Sequence, residues 1–275
     1  MRDQAARMRA LARGLDPELP VPPHVLTVTS GKGGVGKSTI ALNLAVQFAG
    51  QGRETLLLDA DANLASADLM LGLSPQHRLG DVLRGECDLE DALVRPRPGL
   101  SLLAGSSGEP DYPVLSAADQ RQLLEDLAEL ERRPEVILVD TGAGLSAEII
   151  GYAELADTVL LVTRPEPTAV LDAYAMVKVL LAGKPDARVR LVVNGVRTPA
   201  EADETAEKLQ SAVRHFLRAG LEYAGFIPDD RDVARALERR EPVTLASPRS
   251  AATLSLEGLA RRLAESFTQH QRIAV

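Results

Sequence analysis

Cysteine and aromatic residues are scarce in this chain. Cys87 is the only cysteine among 275 residues, which excludes an internal disulfide and an intrachain cysteine pair for zinc or an iron–sulfur cluster. Tryptophan is absent and aromatic residues make up 3% of the sequence, so a stacking platform for single-stranded nucleic acid is not expected. The formal net charge of −8 argues against strong nucleic-acid binding, which depends on basic surface.

Long apolar segments are also missing. No uninterrupted apolar stretch approaches the roughly 18 residues that a membrane helix needs, and the N-terminus lacks the apolar core of a signal peptide. The sequence therefore predicts a cytoplasmic protein whose membrane contact, if it has one, is peripheral. A hydrophobic content of 45% is enough for a substantial buried core.

Apolar segments alternate with helical patterns along most of the chain. Strands are predicted at 25–29, 55–60, 100–104, 135–140, 157–163, 189–194 and 221–227, and helices at 38–50, 116–131, 145–156, 168–182 and 199–218. The near-continuous runs of Val, Leu and Ile are typical of strands buried on both faces. They predict one α/β domain over 24–268, with a single doubly wound, mostly parallel sheet and helices on both faces.

A phosphate-binding loop follows the first predicted strand. Residues 31–39 read GKGGVGKST, which matches the pattern G-x-x-x-x-G-K-[ST] between a strand and a helix. Backbone amides in such a loop point at phosphate oxygens, and the helix N-terminus adds partial positive charge. The predicted nucleotide-binding residues of the loop are Gly31, Gly33, Gly34, Val35, Gly36, Lys37, Ser38 and Thr39.

Two side chains of the loop have predicted chemical roles. Lys37 is expected to reach the β- and γ-phosphates, and the Ser38 hydroxyl is expected to bind Mg²⁺. Two of the five lysines in the chain, against 26 arginines, lie in this loop. In a chain where arginine dominates, the additional lysine, Lys32, suggests that this loop needs compact charges that fit a tight phosphate site.

Acidic residues end two predicted strands. Asp59 and Asp61 follow the run 55–58, and Asp140 follows 136–139. Because ligands bind at the carboxyl ends of parallel strands, these acids should meet at the phosphate loop. Asp140 is expected to hold Mg²⁺ through a water. Gly142, just beyond it, gives the backbone freedom that a nucleotide-responsive switch needs.

The first 23 residues are predicted to form a separate segment. Residues 1–14 have the pattern of a short basic amphipathic helix, and the proline-rich linker 15–23 should be extended. Such a helix suits presentation to a partner protein. A helix that folds back on its own domain would show the same composition, so both possibilities stay open.

The loop with its second lysine is similar to the MinD/ParA (SIMIBI, deviant Walker A) class of ATPases. This resemblance implies ATP and Mg²⁺ as ligands and an ATP-dependent homodimer in which Lys32 reaches phosphate in the partner subunit. It implies that Asp61 places the attacking water and that Asp59 supports the site. Asn194, after a predicted strand, and Pro228 resemble positions that bind adenine, although an Asn there is often a turn residue.

Within that class the chain resembles the FlhG group, also called FleN or YlxH, which controls flagellar number and placement. The segments that carry this likeness are 59–61, 140–144, 166–168, 172–174, 248–250 and the N-terminal 3–9. The last is similar to a helix that stimulates FlhF, an SRP-type GTPase, which implies Asp3, Gln4, Arg7 and Met8 as partner-binding residues. The resemblance to this group also implies a possible further partner, either a protein of the flagellar switch or a transcription factor.

Two departures from the group pattern affect these expectations. Asn63 and Ser66 stand where the group has glycine and asparagine, which bears on the geometry of the first switch. The C-terminal helix is charge-balanced, with Leu256, Leu259, Leu263 and Phe267 on one face, and therefore predicts core packing rather than a lipid anchor. Residues 269–275 are expected to form a tail with little apolar area.

Other proteins with this loop provide alternatives. A MinD-type division-site ATPase would need a lipid-binding helix but not residues 1–14, and a ParA-type partition ATPase would need DNA binding despite the acidic charge. An iron–sulfur carrier of the Mrp type would bring a C-terminal CxxC motif, which this sequence lacks. A metabolic ligase would form a product besides ADP and phosphate.

Overall fold

A computed structural model describes residues 21–62, 64–106 and 113–273. One eight-stranded sheet organises these residues, with the strand order β3-β4-β2-β5-β1-β6-β7-β8. The strands are β1 His24–Ser30, β2 Thr55–Ala60, β3 Leu93–Arg97, β4 Leu100–Leu103, β5 Val136–Ala143, β6 Thr158–Thr163, β7 Val189–Val196 and β8 Glu222–Pro228. All described pairings are parallel except β3 with β4, so the predicted doubly wound α/β sheet is confirmed.

Helices cover both faces of the sheet. They are α1 Lys37–Gly50, α2 Ala67–Met70, α3 Leu79–Leu83, α4 Ala117–Ala128, α5 Ala147–Leu155, α6 Pro167–Gly183, α7 Pro199–Ala212, α8 Arg231–Glu238, α9 Val243–Ala246 and α10 Ala251–Ile273. The α1 and α10 helices share one apolar core with one face of the sheet. The helices from α4 to α7 pack on the other face.

The central strands are buried because both of their faces meet helices. In β2 and β5, Leu57 and Leu138 face the core with α1, whereas Leu56 and Ile137 face the core with α4. Each of these side chains is at most 1% exposed, and burying one contributes about 1.5–3 kcal/mol. This two-sided burial is why these segments are apolar without alternation.

The final long helix, α10, packs on the core. Leu256, Leu259, Leu263 and Phe267 are at most 1% exposed, and the Phe267 ring stacks on His24 with centroids 4.1 Å apart. The predicted core packing of this face is confirmed. The helix extends to Ile273, past the expected boundary at 268. No helix in the described ranges has both the length and the apolar character needed to cross a bilayer.

Several elements differ from the sequence-based expectation. The short helices α2, α3, α8 and α9 were not predicted. The edge strand β3 was not predicted, because it is only partly buried, carries two arginines and contains Pro96, which edge strands tolerate. The helix predicted over 199–218 is present but changes type near its end: α7 ends at Ala212 and continues as a π-helical turn over Val213–Leu217. Arg218, with a φ of 54° in the left-handed region, ends that turn.

Candidate nucleotide-binding site

The loop 31–36 joins the end of β1 to the first residue of α1. Gly34 and Gly36 have φ values of 74° and 94°, in the left-handed region that glycine adopts without steric cost. The turn at Gly36 places it at the N-cap position of α1, which starts at Lys37. The predicted strand, loop and helix are therefore present, with the helix N-terminus at the loop.

Two glycines of the loop lie directly against other elements. A Cβ atom at Gly31 would lie 2.1 Å from the backbone oxygen of Asp172 in α6, and one at Gly36 would lie 2.3 Å from Nδ2 of Asn194. The Asn194 amide donates a hydrogen bond of 2.7 Å to the carbonyl of Val35. The loop is thus held between α6 and β7, and only glycine fits at these contacts.

Gly31→Ala is expected to lower the free energy of unfolding by about 1–3 kcal/mol, the usual range for overpacking. The clash is with backbone oxygen, so it cannot be relieved by a side-chain rotation. Gly50→Ala is the matched control, because a Cβ there meets no atom within 4 Å and alanine favours helix. Urea unfolding of both variants tests this; equal stabilities would contradict the tight contact at Gly31.

Lys37 and Ser38 begin α1 beside the buried carboxylate of Asp140. The Ser38 hydroxyl donates a hydrogen bond to Asp140. Lys37 is 7% exposed and Asp140 is 1% exposed. The Oδ1 atom of Asp140 is buried without a hydrogen-bond partner. An unsatisfied carboxylate oxygen next to a serine hydroxyl has the hard oxygen chemistry that Mg²⁺ and its waters require, so these residues fit the ion.

Asp59 and Asp140 are direct neighbours on adjacent parallel strands, β2 and β5. Burial, followed by the charge of Asp59, raises the pKa of Asp140 to about 8, although the Ser38 hydrogen bond and the charge of Lys37 act in the opposite direction. Burial also raises the pKa of Asp59 to about 6, against three backbone N–H hydrogen bonds that lower it. Burial and mutual repulsion therefore disfavour the ionised form of both carboxyl groups, and a cation bound beside them would offset this cost.

The raised pKa values give the nucleotide-free chain a pH-dependent stability. Between about pH 4 and pH 8 the folded state holds protons that the unfolded state has released, so stability falls as pH rises through this window. Asp140→Asn removes one of these ionisations. Without Mg²⁺ or nucleotide, we expect this variant to gain at least about 1 kcal/mol relative to wild type between pH 5 and pH 8.

Urea unfolding at the two pH values measures this gain. The matched control is Asp186→Asn, since Asp186 is exposed, and this variant should differ from wild type by a nearly constant amount. The difference in free energy of unfolding between Asp140→Asn and wild type should change with pH. A difference that is the same at both pH values would contradict a raised pKa for the buried carboxyl group of Asp140.

The carboxyl group of Asp59 also holds the segment that follows β2. Its Oδ2 atom accepts hydrogen bonds from the backbone N–H groups of Ser66 and Ala67, at 2.8 and 2.9 Å. The next residue, Asp68, is buried and pairs with Arg78 at 2.6 Å. Ser66 therefore contributes its backbone to the geometry of this segment, whereas Asn63 lies outside the described residues.

Asp61 lies between the segment after β2 and the turn after β5. Its Oδ1 atom accepts a hydrogen bond of 3.0 Å from the backbone of Leu64, and a Cβ at Gly142 would lie 3.3 Å from the same oxygen. The structure thus brings two predicted switch residues together. Burial and then the charge of Asp61 raise the pKa of Glu148 on α5, which adds another acid to this region.

Lys32 lies on the exposed side of the loop, away from Lys37. Its Nζ atom donates a hydrogen bond of 2.8 Å to the hydroxyl of Thr168 in the first turn of α6. A cleft of about 230 Å³ opens beside it, lined by Lys32, Gly33, Gly34, Val35, Arg164, Glu166 and Ala169. The two loop lysines thus occupy different environments, one buried with Asp140 and one facing solvent.

The predicted adenine-side positions lie at the ends of β7 and β8. Asn194 pairs with Ile227, and Val196 pairs with Pro228, on these adjacent strands. Thr39, in the first turn of α1, accepts a hydrogen bond of 2.8 Å at its carbonyl from Asn43. Asn194 and Pro228 therefore lie at the same edge of the sheet as the loop, with the Asn194 amide already bound to the loop backbone.

Sequence reasoning missed Arg164, a charged residue at this edge of the sheet. Arg164 directly follows β6, lies over Gly195 and pairs with Glu166 at 3.1 Å. A charged residue immediately after a buried strand was the available signal. The predicted partner-binding residues Asp3, Gln4, Arg7 and Met8 lie outside the described residues.

The parallel sheet, the glycine loop at the start of α1 and the buried acid on β5 define a P-loop nucleotide-binding domain. Residues 26–243 match the family model described as the CobQ/CobB/MinD/ParA nucleotide binding domain. The chain belongs to this family of nucleotide-binding ATPases, as the resemblance of the loop predicted.

Proteins from the flagellar branch are among the relatives. The chain is 36% identical over 242 residues to the antiactivator FleN of Pseudomonas aeruginosa, covering 88% of this chain and 86% of that protein. It is 32% identical over 236 residues to the flagellum site-determining protein YlxH of Helicobacter pylori, covering 86% and 80%.

A solved structure of MinD from Pyrococcus horikoshii, complexed with Mg-ADP, has the same fold. The two chains superimpose with a TM-score of 0.73 at 26% identity, covering 88% of this chain and 96% of that chain. The predicted MinD-like P-loop fold is therefore confirmed.

Proposed function

We propose that this chain is an ATP-hydrolysing, dimerising switch that controls the number or placement of flagella. The observation that carries the proposal is the separation of the two loop lysines. Lys37 is buried beside Asp140, whereas Lys32 is exposed at the mouth of the loop, where a second copy of the chain can meet it. The similarity to FleN and YlxH supports the flagellar role.

Each residue of the site has a place in this proposal. The loop amides and Lys37 bind the phosphates, and the Ser38 hydroxyl and Asp140, through a water, hold Mg²⁺. The ion, when bound, neutralises charge on the β- and γ-phosphates. Asn194 and Pro228 lie on the adenine side. Lys32 crosses to the phosphates in the partner subunit.

Hydrolysis would then proceed by in-line displacement. Asp61 orients a water whose oxygen bonds to the γ-phosphorus, while the bond to the bridging oxygen of ADP breaks and the water proton leaves with phosphate or solvent. Asp59 holds the segment that contains Asp61 through its hydrogen bonds to the backbone. Loss of the γ-phosphate frees Gly142 and its neighbours to move, which reopens the dimer.

We also propose that residues 1–14 act on an SRP-type GTPase similar to FlhF, with Asp3, Gln4, Arg7 and Met8 as the contacting residues. The test is the GTPase rate of the FlhF homologue from the same genome, alone, with the full chain, with the chain lacking residues 1–14, and with Gln4→Ala. Gln122→Ala, on the exposed face of α4, is the control for surface amide loss.

We expect the full chain and Gln122→Ala to stimulate GTP hydrolysis, and the truncated chain and Gln4→Ala to fail. No stimulation by the full chain would contradict the proposed partner. A flagellar switch protein or a transcription factor would then be the next partner to test.

The division-site role of MinD is the second candidate, because MinD proteins are also relatives. It requires a lipid-binding surface, yet the apolar face of α10 is buried against the core. Binding to liposomes of anionic lipid with ATP, together with no stimulation of the FlhF homologue, would favour this candidate.

A further inference from the structure

The exposed loop lysine has a defined resting position in this chain. Lys32 Nζ donates to Thr168 Oγ1 at 2.8 Å, across 136 residues of sequence. The contact is imposed by the packing of the loop, because Gly31 lies against the backbone oxygen of Asp172, one turn further along α6. The position of Lys32 is thus tied to the start of this helix.

The chemistry of this resting position is poor for a cation. Thr168 lies in the first turn of α6, where free backbone N–H groups concentrate partial positive charge. The adjacent acid, Glu166, is engaged by Arg164 at 3.1 Å. A neutral hydroxyl therefore accepts the hydrogen bond of the ammonium group, and charged phosphate oxygens would form stronger, charge-assisted hydrogen bonds with it.

We infer that Thr168 is a positioning residue that docks Lys32 in the nucleotide-free monomer and must release it before two ATP-bound subunits close. The inference rests on the proposed role of Lys32 in the dimer. The Thr168 hydroxyl competes with the phosphates of the partner subunit for the same ammonium group. It opposes dimer closure weakly, so that closure depends on the strong attraction of a triphosphate.

Removing the hydroxyl should therefore favour the dimer. Thr168→Val keeps the shape and branching of the side chain but deletes the acceptor for Lys32. A net hydrogen bond of ordinary strength corresponds to about fivefold in an equilibrium constant. Closure releases one such bond in each of the two subunits, so we expect the dimer dissociation constant to fall by about 25-fold. Thr168→Ser keeps the acceptor and should match wild type.

Sedimentation equilibrium with Mg²⁺ and a non-hydrolysable ATP analogue measures this constant in the full chain. Wild type, Thr168→Val, Thr168→Ser and Lys32→Ala are compared over a range of protein concentrations. Tighter dimerisation of Thr168→Val alone supports the docking role. A constant for Thr168→Val equal to or weaker than that of wild type overturns it.

A second readout excludes a merely structural effect of Thr168. In nucleotide-free protein the melting temperatures of Lys32→Ala, Thr168→Val and the double variant form a double-mutant cycle. We expect non-additive shifts, because each single variant removes the same hydrogen bond. Additive shifts would overturn the contact.

Failure of the inference and failure of the proposed function give different results. In one case, wild type dimerises with the analogue, Lys32→Ala does not, and Thr168→Val has the same dissociation constant as wild type. The docking role of Thr168 then fails, but the dimer mechanism stands. If Lys32→Ala dimerises as wild type does, the role of Lys32 in the dimer fails.

Discussion

Lys37→Ala is expected to weaken ATP binding by at least about a hundredfold. A hydrogen bond to a charged group contributes about 1.5–3 kcal/mol, and Lys37 is proposed to contact two phosphates, so a loss of at least 2.7 kcal/mol, roughly two factors of ten, follows. The residue is 7% exposed at the first position of α1, beside the buried carboxylate of Asp140.

Isothermal titration with ATP and Mg²⁺ measures this loss. Lys208→Ala is the matched control, because Lys208 is 65% exposed and pairs with Glu204 on the surface of α7; its affinity should stay within twofold of wild type. The melting temperature of Lys37→Ala shows whether the chain still folds. An affinity within threefold of wild type in a folded variant would remove Lys37 from the phosphate site.

Asp61→Ala is expected to separate ATP binding from ATP hydrolysis. Asp61 is half-buried between Leu64 and Gly142, and its proposed task is to orient water rather than to bind phosphate. Because positioning and electrostatics account for most of the catalysis of phosphoryl transfer, we expect turnover to fall at least about a hundredfold. ATP affinity should change less than threefold.

The same variant should accumulate as an ATP-bound dimer, since the step that reopens the dimer is blocked. Phosphate release and light scattering with ATP measure the two effects together. Asp186→Ala, exposed between α6 and β7, is the control and should retain normal turnover. Turnover of Asp61→Ala close to that of wild type would assign the water to another group.

Local pattern was sufficient to predict the sheet and the loop. The strands are apolar over their full width because helices cover both faces, and that property is visible in the sequence without any tertiary information. The loop is recognisable because its glycines are required by backbone geometry, as the positive φ values of Gly34 and Gly36 show. Asp59 and Asp140 were found for a related reason, since each follows the apolar run of a buried strand.

Contacts between distant segments could not be predicted in the same way. The hydrogen bond from Lys32 to Thr168 and the one from Asn194 to Val35 join residues more than 130 positions apart. Glu148 is near Asp61 only because α5 follows the turn after β5. The edge strand β3 was missed because an exposed strand with Pro96 lacks the apolar pattern that identified the others.

The mass of the full chain in solution with Mg²⁺ tests the central claim most directly. Sedimentation with a non-hydrolysable ATP analogue should give twice the monomer mass of 29.4 kDa, and ADP under the same conditions should give the monomer mass. A chain that has the same mass with both nucleotides, either monomeric or dimeric, would contradict an ATP-driven dimerising switch.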